Sequence, residues 1–136
     1  MSGTAFEKRL RRVNNDEETR AIMGAPIAIN ATCVRVPVFV GYALAVQAEF
    51  EEAMDPRQAR ESLHEAPGLS VLDRRREEEY MTPVEAAGED NVFVSRLRKD
   101  PSATNGLGLW IVADNMRKGS ALNAVQIAEI LAAEYL

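Results

Sequence analysis

The sequence is poor in cysteine and histidine, with one residue of each among its 136 positions. A lone cysteine, Cys33, cannot form an intramolecular disulfide, so a disulfide-based fold is excluded. His64 stands in a predicted surface helix, which favours an incidental role over a catalytic one. Cysteine, histidine and carboxylate residues nowhere combine at metal-ligand spacing, so no metal site is predicted.

Long apolar runs and an excess of positive charge are lacking as well. No segment approaches the roughly 20 apolar residues that a membrane-spanning helix needs, and the N-terminus has no apolar signal core. These features predict a cytoplasmic protein without a membrane partner. The formal net charge of −5 argues against nucleic-acid binding, because such domains are normally basic.

The composition that remains is that of a globular domain, with 46% hydrophobic and 27% charged residues. Periodicity, turn residues and helix-capping residues predict the order helix, strands, helix, strands, helix. The predicted segments are a helix over 5–23, strands over 27–40 and 43–50, a helix from Asp55 to about Ala66, strands over 69–72, 92–97 and 107–113, and a helix from Ser120. A short helix is the alternative for 43–50. This order predicts an α+β fold, with a mostly antiparallel sheet that packs helices on one face.

Several local expectations accompany this layout. Alternation over Val92–Leu97 places Val94 and Arg96 on one side of the strand and Leu97 on the other. The charged stretch over 73–79 is predicted to be an exposed loop. Ser120 is predicted to cap the last helix, whose amino end would favour an anion. Cys33 is predicted to be a buried strand residue, although a cation nearby would lower the pKa of its thiol.

Three stretches resemble bacterial aspartate-semialdehyde dehydrogenases. They are ATCVRVPVFVGY (31–42), YMTPVEAAGEDNVFVSRLRKDPS (80–102) and NGLGLWIVADNMRKGSALNAVQIAEIL (105–131). The resemblance covers only the later, dimer-forming part of such an enzyme. It implies that residues 1–136 are a single partial domain, the family's dimerisation domain with its C-terminal helix, and that the chain forms a homodimer.

The family's reaction needs parts that this sequence lacks. The family enzyme converts aspartyl phosphate to aspartate semialdehyde with NADPH, through a cysteine nucleophile. NADP is therefore the implied cofactor, but no GxGxxG turn for its pyrophosphate occurs in the sequence. The nucleophile of the family lies upstream of the matching region, and Cys33 is not at its position. Catalysis would require another chain that supplies the dinucleotide-binding domain and the thiol.

Three residues match functional positions of the family. Arg35 matches the arginine that grips the substrate carboxylate, and a planar guanidinium suits that task; the alternative is a strand arginine in an ordinary ion pair. Tyr42 stands where the family has its catalytic acid/base histidine, and a phenol is a poor proton acceptor at neutral pH. Asn115 matches a position that approaches the nicotinamide; the alternative is a strand-to-helix turn.

The family's Glu-x-x-Lys pair has no clean counterpart here. Arg11 or Arg12 could supply a cation, but neither aligns with the lysine. Three functions therefore stand open. The chain is a part of an NADP-dependent semialdehyde dehydrogenase, or a non-catalytic dimerisation and assembly module derived from one, or a binder of small acids that uses Arg35 alone.

Overall fold

A computed structural model describes residues 15–73 and 80–135 of the chain, which divides into two compact units, residues 1–37 and 38–136. In the first unit, helix α1 spans Asn15–Met23, and the part of the predicted helix before Asn15 lies outside the described residues. Gly24 follows α1 with φ +62°, a left-handed conformation that commonly ends a helix, so the predicted stop is confirmed. Arg20 Nε then donates a hydrogen bond to the carbonyl of Ile27 at 2.7 Å.

The strand predicted over 27–40 is wrong. Residues 26–41 form neither helix nor strand, and most of the apolar side chains in this stretch are exposed. Phe39 is fully exposed, and Val34 is 79% exposed. β-Branched residues favour strands mainly through packing against cross-strand neighbours, and no such neighbour is provided here by the described residues of either unit.

The second unit is built on one four-stranded sheet. Its strands are β1 (Tyr42–Glu49), β2 (Leu69–Val71), β3 (Val92–Asp100) and β4 (Gly106–Ala113). They lie in the order β1-β4-β3-β2, and the pairs β1–β4 and β4–β3 are antiparallel while β2–β3 is parallel. The predicted α+β class with a mostly antiparallel sheet is confirmed. The apolar run over 107–113 lies in the interior of the sheet, as its continuity predicted.

Helix α2 (Pro56–Glu65) packs on one face of this sheet. Asp55 accepts a hydrogen bond from the Arg57 amide at 2.8 Å, and the Gln58 side chain accepts one from the Asp55 amide, which completes a capping box. The helix buries Ala59 against Val94, Leu97 and Leu107, with Leu63, Val71 and Leu109 around them. The helix start predicted at Asp55 is therefore confirmed.

A β-bulge in β3 overturns the alternation predicted for its second half. Ser95 pairs with Trp110 and Arg98 with Gly108, so β3 has one more residue than β4 between these pairs. Arg96 takes φ +54°, which few non-glycine residues adopt, and the extra residue turns Leu97 into the same core as Val94.

The side chain of Asp73 is buried, contrary to the prediction of an exposed loop over 73–79. Its carboxylate pairs with Arg60 and accepts the Arg96 amide at 3.1 Å, and its side chain is 5% exposed. It therefore ties helix α2 to the bulge. Residues 74–79 of the predicted loop lie outside the described part of the chain.

The opposite face of the sheet carries the segment over 80–88, which includes the short helix α3 (Pro83–Ala86). Trp110 Nε1 donates to the Met81 carbonyl at 2.8 Å, and the Met81 amide donates to Ser95 Oγ at 3.3 Å. Ser95 and Ala86 are fully buried here. Towards the chain end, a π-helical turn over Arg117–Ala121 leads into helix α4 (Leu122–Glu134), which has no buried residue.

Candidate functional site

Two of the three residues matched to family positions lie at one end of the sheet. Tyr42 opens β1 and pairs with Ala113, the last residue of β4, and Asn115 follows two residues later. Asn115 Oδ1 accepts a hydrogen bond from the Gly41 amide at 3.0 Å. The tertiary fold thus joins the segments that carry Tyr42 and Asn115, which are 73 positions apart in the sequence.

Gly41 is required at this junction. Its φ is +91°, and a Cβ added to it would lie 3.2 Å from both the Cβ and the carbonyl oxygen of Pro83 and 3.3 Å from the Ala113 carbonyl oxygen. An L side chain would be strained by the backbone and crowded by α3 and β4. The lack of a side chain at Gly41 therefore allows Pro83 of α3 to lie close to the start of β1.

Asp114 organises the turn after β4. Its side chain accepts the amides of Gly88 at 2.9 Å and Met116 at 2.8 Å, and the residue is 4% exposed. The pKa of this carboxyl lies below its ordinary value, chiefly because the Gly88 amide donates to the carboxylate. The amides of Met116 and Arg117 and the charge of Arg117 lower the pKa further, whereas desolvation by burial raises it. Asp114 thus caps the helical segment that begins after it.

This cap corrects the prediction for Ser120. Helix α4 has no side-chain cap, and Ser120 Oγ instead donates to the Met116 carbonyl at 2.8 Å and the Asn115 carbonyl at 3.3 Å. The Ala121 amide reaches back five residues to the same Met116 carbonyl, which makes the turn π-helical. The Met116 and Arg117 amides at the start of this helical segment are paired with the Asp114 carboxylate.

Arg35 and Cys33 lie in the first unit, in the stretch that forms no strand. Both are exposed, so the prediction of a buried strand cysteine is wrong, as is the alternative of a strand arginine. Arg35 belongs to the unit of residues 1–37, whereas Tyr42 and Asn115 belong to the unit of residues 38–136. Arg11 and Arg12 lie outside the described residues.

Sequence reasoning missed Gly41 and Asp114. A glycine directly before a predicted strand and an aspartate directly after one are both visible signals, since such residues favour turns and helix starts. Neither signal shows that the two turns meet. Only the pairing of β1 with β4 brings them together.

The described residues do not fit the pyrophosphate of a dinucleotide. Such a site uses a glycine-rich turn between a strand and the start of a helix. The parallel pair β2–β3 is connected through a segment whose described helix, α3, has four residues. The same residues contain no group of three or more metal-binding side chains, and no helix among them is long and apolar enough to cross a membrane.

Comparison with known proteins gives extended matches to one family of enzymes. The chain is 51% identical over 120 residues to the aspartate-semialdehyde dehydrogenase of Aquifex aeolicus, which covers 88% of this chain and 35% of that protein. It is 43% identical over 135 residues to the enzyme of Streptomyces akiyoshiensis, covering 98% of this chain and 37% of the relative. The chain therefore spans little more than a third of the length of these relatives.

Solved structures agree. The fold matches aspartate semialdehyde dehydrogenase II from Vibrio cholerae, complexed with ASA, with a TM-score of 0.82 and 44% identity over 88% of this chain and 35% of that one. The family model described as semialdehyde dehydrogenase, dimerisation domain, matches residues 5–118. This chain therefore belongs to the family of semialdehyde dehydrogenase dimerisation domains and corresponds to a C-terminal portion of aspartate-semialdehyde dehydrogenase.

Proposed function

We propose that this chain is the substrate-side part of an NADP-dependent aspartate-semialdehyde dehydrogenase of amino-acid biosynthesis, acting in the cytoplasm. On this proposal residues 1–136 form one partial domain and are inactive alone. The dinucleotide-binding domain and the cysteine nucleophile belong to the part of the enzyme that lies outside these 136 residues. The observation that carries the proposal is the likeness to 35% of a known enzyme, together with the Tyr42–Gly41–Asn115 junction at the matching positions.

Within this proposal each matched residue has a role. Arg35 binds the substrate carboxylate through two parallel hydrogen bonds. Asn115 lies beside the nicotinamide. Tyr42 stands at the position of the acid/base and donates a hydrogen bond or keeps the shape of the site, because a phenol is a weak base at neutral pH.

The exposed apolar surface of helix α4 supports the proposal that a further domain packs against this chain. Ile127, Ile130 and Leu131 lie on one side of this helix at helical spacing, and each is about half exposed. No other element of the described residues buries them. An apolar helix face is stabilised when another surface buries it, which a further domain would do.

The test is a mixing experiment with the chain as it is. It would be combined with the portion of the Aquifex aeolicus enzyme that lies outside the matched 35%, and NADPH formation from aspartate semialdehyde and phosphate would be followed. We expect no NADPH from the chain alone and measurable NADPH from the mixture, with a loss in the Arg35→Ala variant.

Tyr42→His is the matched gain-of-function variant. It restores a side chain that titrates near 6.5, so general acid/base catalysis should raise the rate of the mixture by about 10²-fold or more. Absence of NADPH at every mixing ratio, with the Tyr42→His variant included, would contradict the enzymatic proposal.

The second candidate function is a non-catalytic dimerisation module. The matched family model describes a dimerisation domain, and Tyr42 in place of histidine fits a domain retained for its shape. Sedimentation velocity at micromolar concentration tests this candidate. A homodimer that stays catalytically silent in every mixture favours the module, whereas a clean monomer contradicts it.

A further inference from the structure

The side chain of Asn115 ends in an amide group whose oxygen and nitrogen differ in their contacts. The group that faces Asn115 is the Gly41 amide, which can only donate, so the atom 3.0 Å from it is the amide oxygen. The nitrogen of the same amide is a donor and takes no part in this hydrogen bond. Asn115 is exposed, and no acceptor for this nitrogen is found among the residues that the structure describes.

The oxygen end constrains residue 42. Gly41 stands directly before Tyr42, in a left-handed conformation in which an added Cβ would meet both Pro83 and the Ala113 carbonyl. Its amide lies outside the β1–β4 ladder, whose pairing begins at Tyr42. The hydrogen bond from the Gly41 amide to Asn115 thus connects the residue before β1 to the residues that follow β4.

Asn115 is itself held from both sides. The preceding Asp114 is anchored to Gly88 and Met116, and Ser120 donates to the Asn115 carbonyl. The backbone on which Asn115 stands is therefore fixed, while its side chain remains at the surface. The turn after β4 can therefore hold the turn before β1 in place through the Asn115 side chain.

We infer that Asn115 is a positioning residue for residue 42: its amide oxygen fixes Gly41 and thereby the start of β1, while its amide nitrogen stays available to a ligand. The consequence for catalysis rests on the proposed function. The geometric claim does not, since it concerns bonds within this chain.

The geometric claim is tested by amide hydrogen exchange of the full chain, followed by NMR. In Asn115→Ala the Gly41 amide loses its acceptor, and we expect its exchange to accelerate about tenfold, as for the loss of one ordinary hydrogen bond. Asn115→Asp keeps an acceptor of the same length and should retain protection. Asn115→Gln moves the oxygen by one methylene and should behave like alanine, which provides a second variant if Asn115→Ala does not fold.

The catalytic consequence is tested in the mixture described above, in a Tyr42→His background. Asn115→Ala should lower kcat about tenfold, because the imidazole introduced at position 42 would be misplaced. Asn115→Asp should restore kcat and raise only the KM for the cofactor, because it lacks the donor.

Two results would overturn the inference. One is unchanged Gly41 exchange in Asn115→Ala, and the other is equal exchange in the aspartate and alanine variants. A mixture without activity would count against the proposed function alone, because the exchange data still decide the geometry.

Discussion

At the residue scale, some buried side chains have surroundings that the neighbouring residues in the sequence did not predict. Leu97 is such a residue. Its parity in the strand predicted the face opposite Val94, yet the bulge at Arg96 turns it into the core beneath α2, where it is 2% exposed. A buried leucine in contact with a helix contributes through both transfer from water and close packing.

Replacing Leu97 by alanine should therefore lower the free energy of unfolding by about 2–5 kcal/mol. The control is Val84→Ala in α3, where the side chain is 77% exposed and little packing is lost. Urea unfolding followed by circular dichroism measures both. A Leu97→Ala variant as stable as Val84→Ala would show that the residue does not belong to the core.

Asp114 predicts a dependence on pH at the same scale. Its pKa in the folded chain is lowered, chiefly by the Gly88 amide, so its contribution to stability is fully present above its ordinary value of 3.8 and is lost as the pH falls through the folded pKa. Asp114→Asn should be less stable than the natural chain near neutral pH, and the gap should close in acid. Thermal unfolding across this pH range measures it; a gap that stays constant would contradict the prediction.

At the scale of elements, helices with strong local signals were predicted well and strands without a partner were not. The capping box at Asp55 and the proline after it start α2 where the sequence indicates, because these bonds are local. The segment over 27–40 has the composition of a strand but lacks a pairing edge among the described residues. The turn before α4 differs from its prediction because the helical segment already begins after Asp114, which caps it, while Ser120 donates to the Met116 carbonyl.

Loss of the α2 cap gives an element-scale prediction. Asp55→Ala removes the acceptor for the Arg57 amide and should lower the free energy of unfolding by about 1 kcal/mol. Glu61→Ala, at an exposed position of the same helix, is the matched control and should change stability little. Equal effects of the two substitutions would mean that the cap does not stabilise the helix.

At the scale of the whole molecule, substitutions on the exposed apolar face of α4 should affect binding to a partner without affecting the stability of this chain. Ile127 and Ile130 are 53% and 54% exposed, so their replacement by serine removes little packing within this chain. The doubly substituted chain should unfold at nearly the same urea concentration as the natural one. Its affinity for the complementary portion of the Aquifex aeolicus relative should fall by at least about tenfold, since each buried isoleucine is worth about 1.5–3 kcal/mol.

Calorimetric titration of the two parts measures that affinity. Substitution of two exposed charged residues of the same chain, Glu61 and Glu65 on α2, provides the control for nonspecific effects of altering a helix surface. Unchanged affinity in the serine variant would show that α4 is not the surface through which the partner binds.

The sequence by itself determined the fold class, the end of α1, the start of α2 and the resemblance to the family; that Arg35, Tyr42 and Asn115 stand at functional positions of the family remains a prediction. These depend on local chemistry: turn residues, caps, hydrophobic periodicity and long matching stretches. Only the tertiary structure decided the bulge at Arg96, the capping role of Asp114 and the bond from Gly41 to Asn115. The bulge, the bond from Gly88 to Asp114 and the bond from Gly41 to Asn115 depend on which segments lie side by side, and strand pairing between distant parts of a chain is set by the packing of the whole sheet.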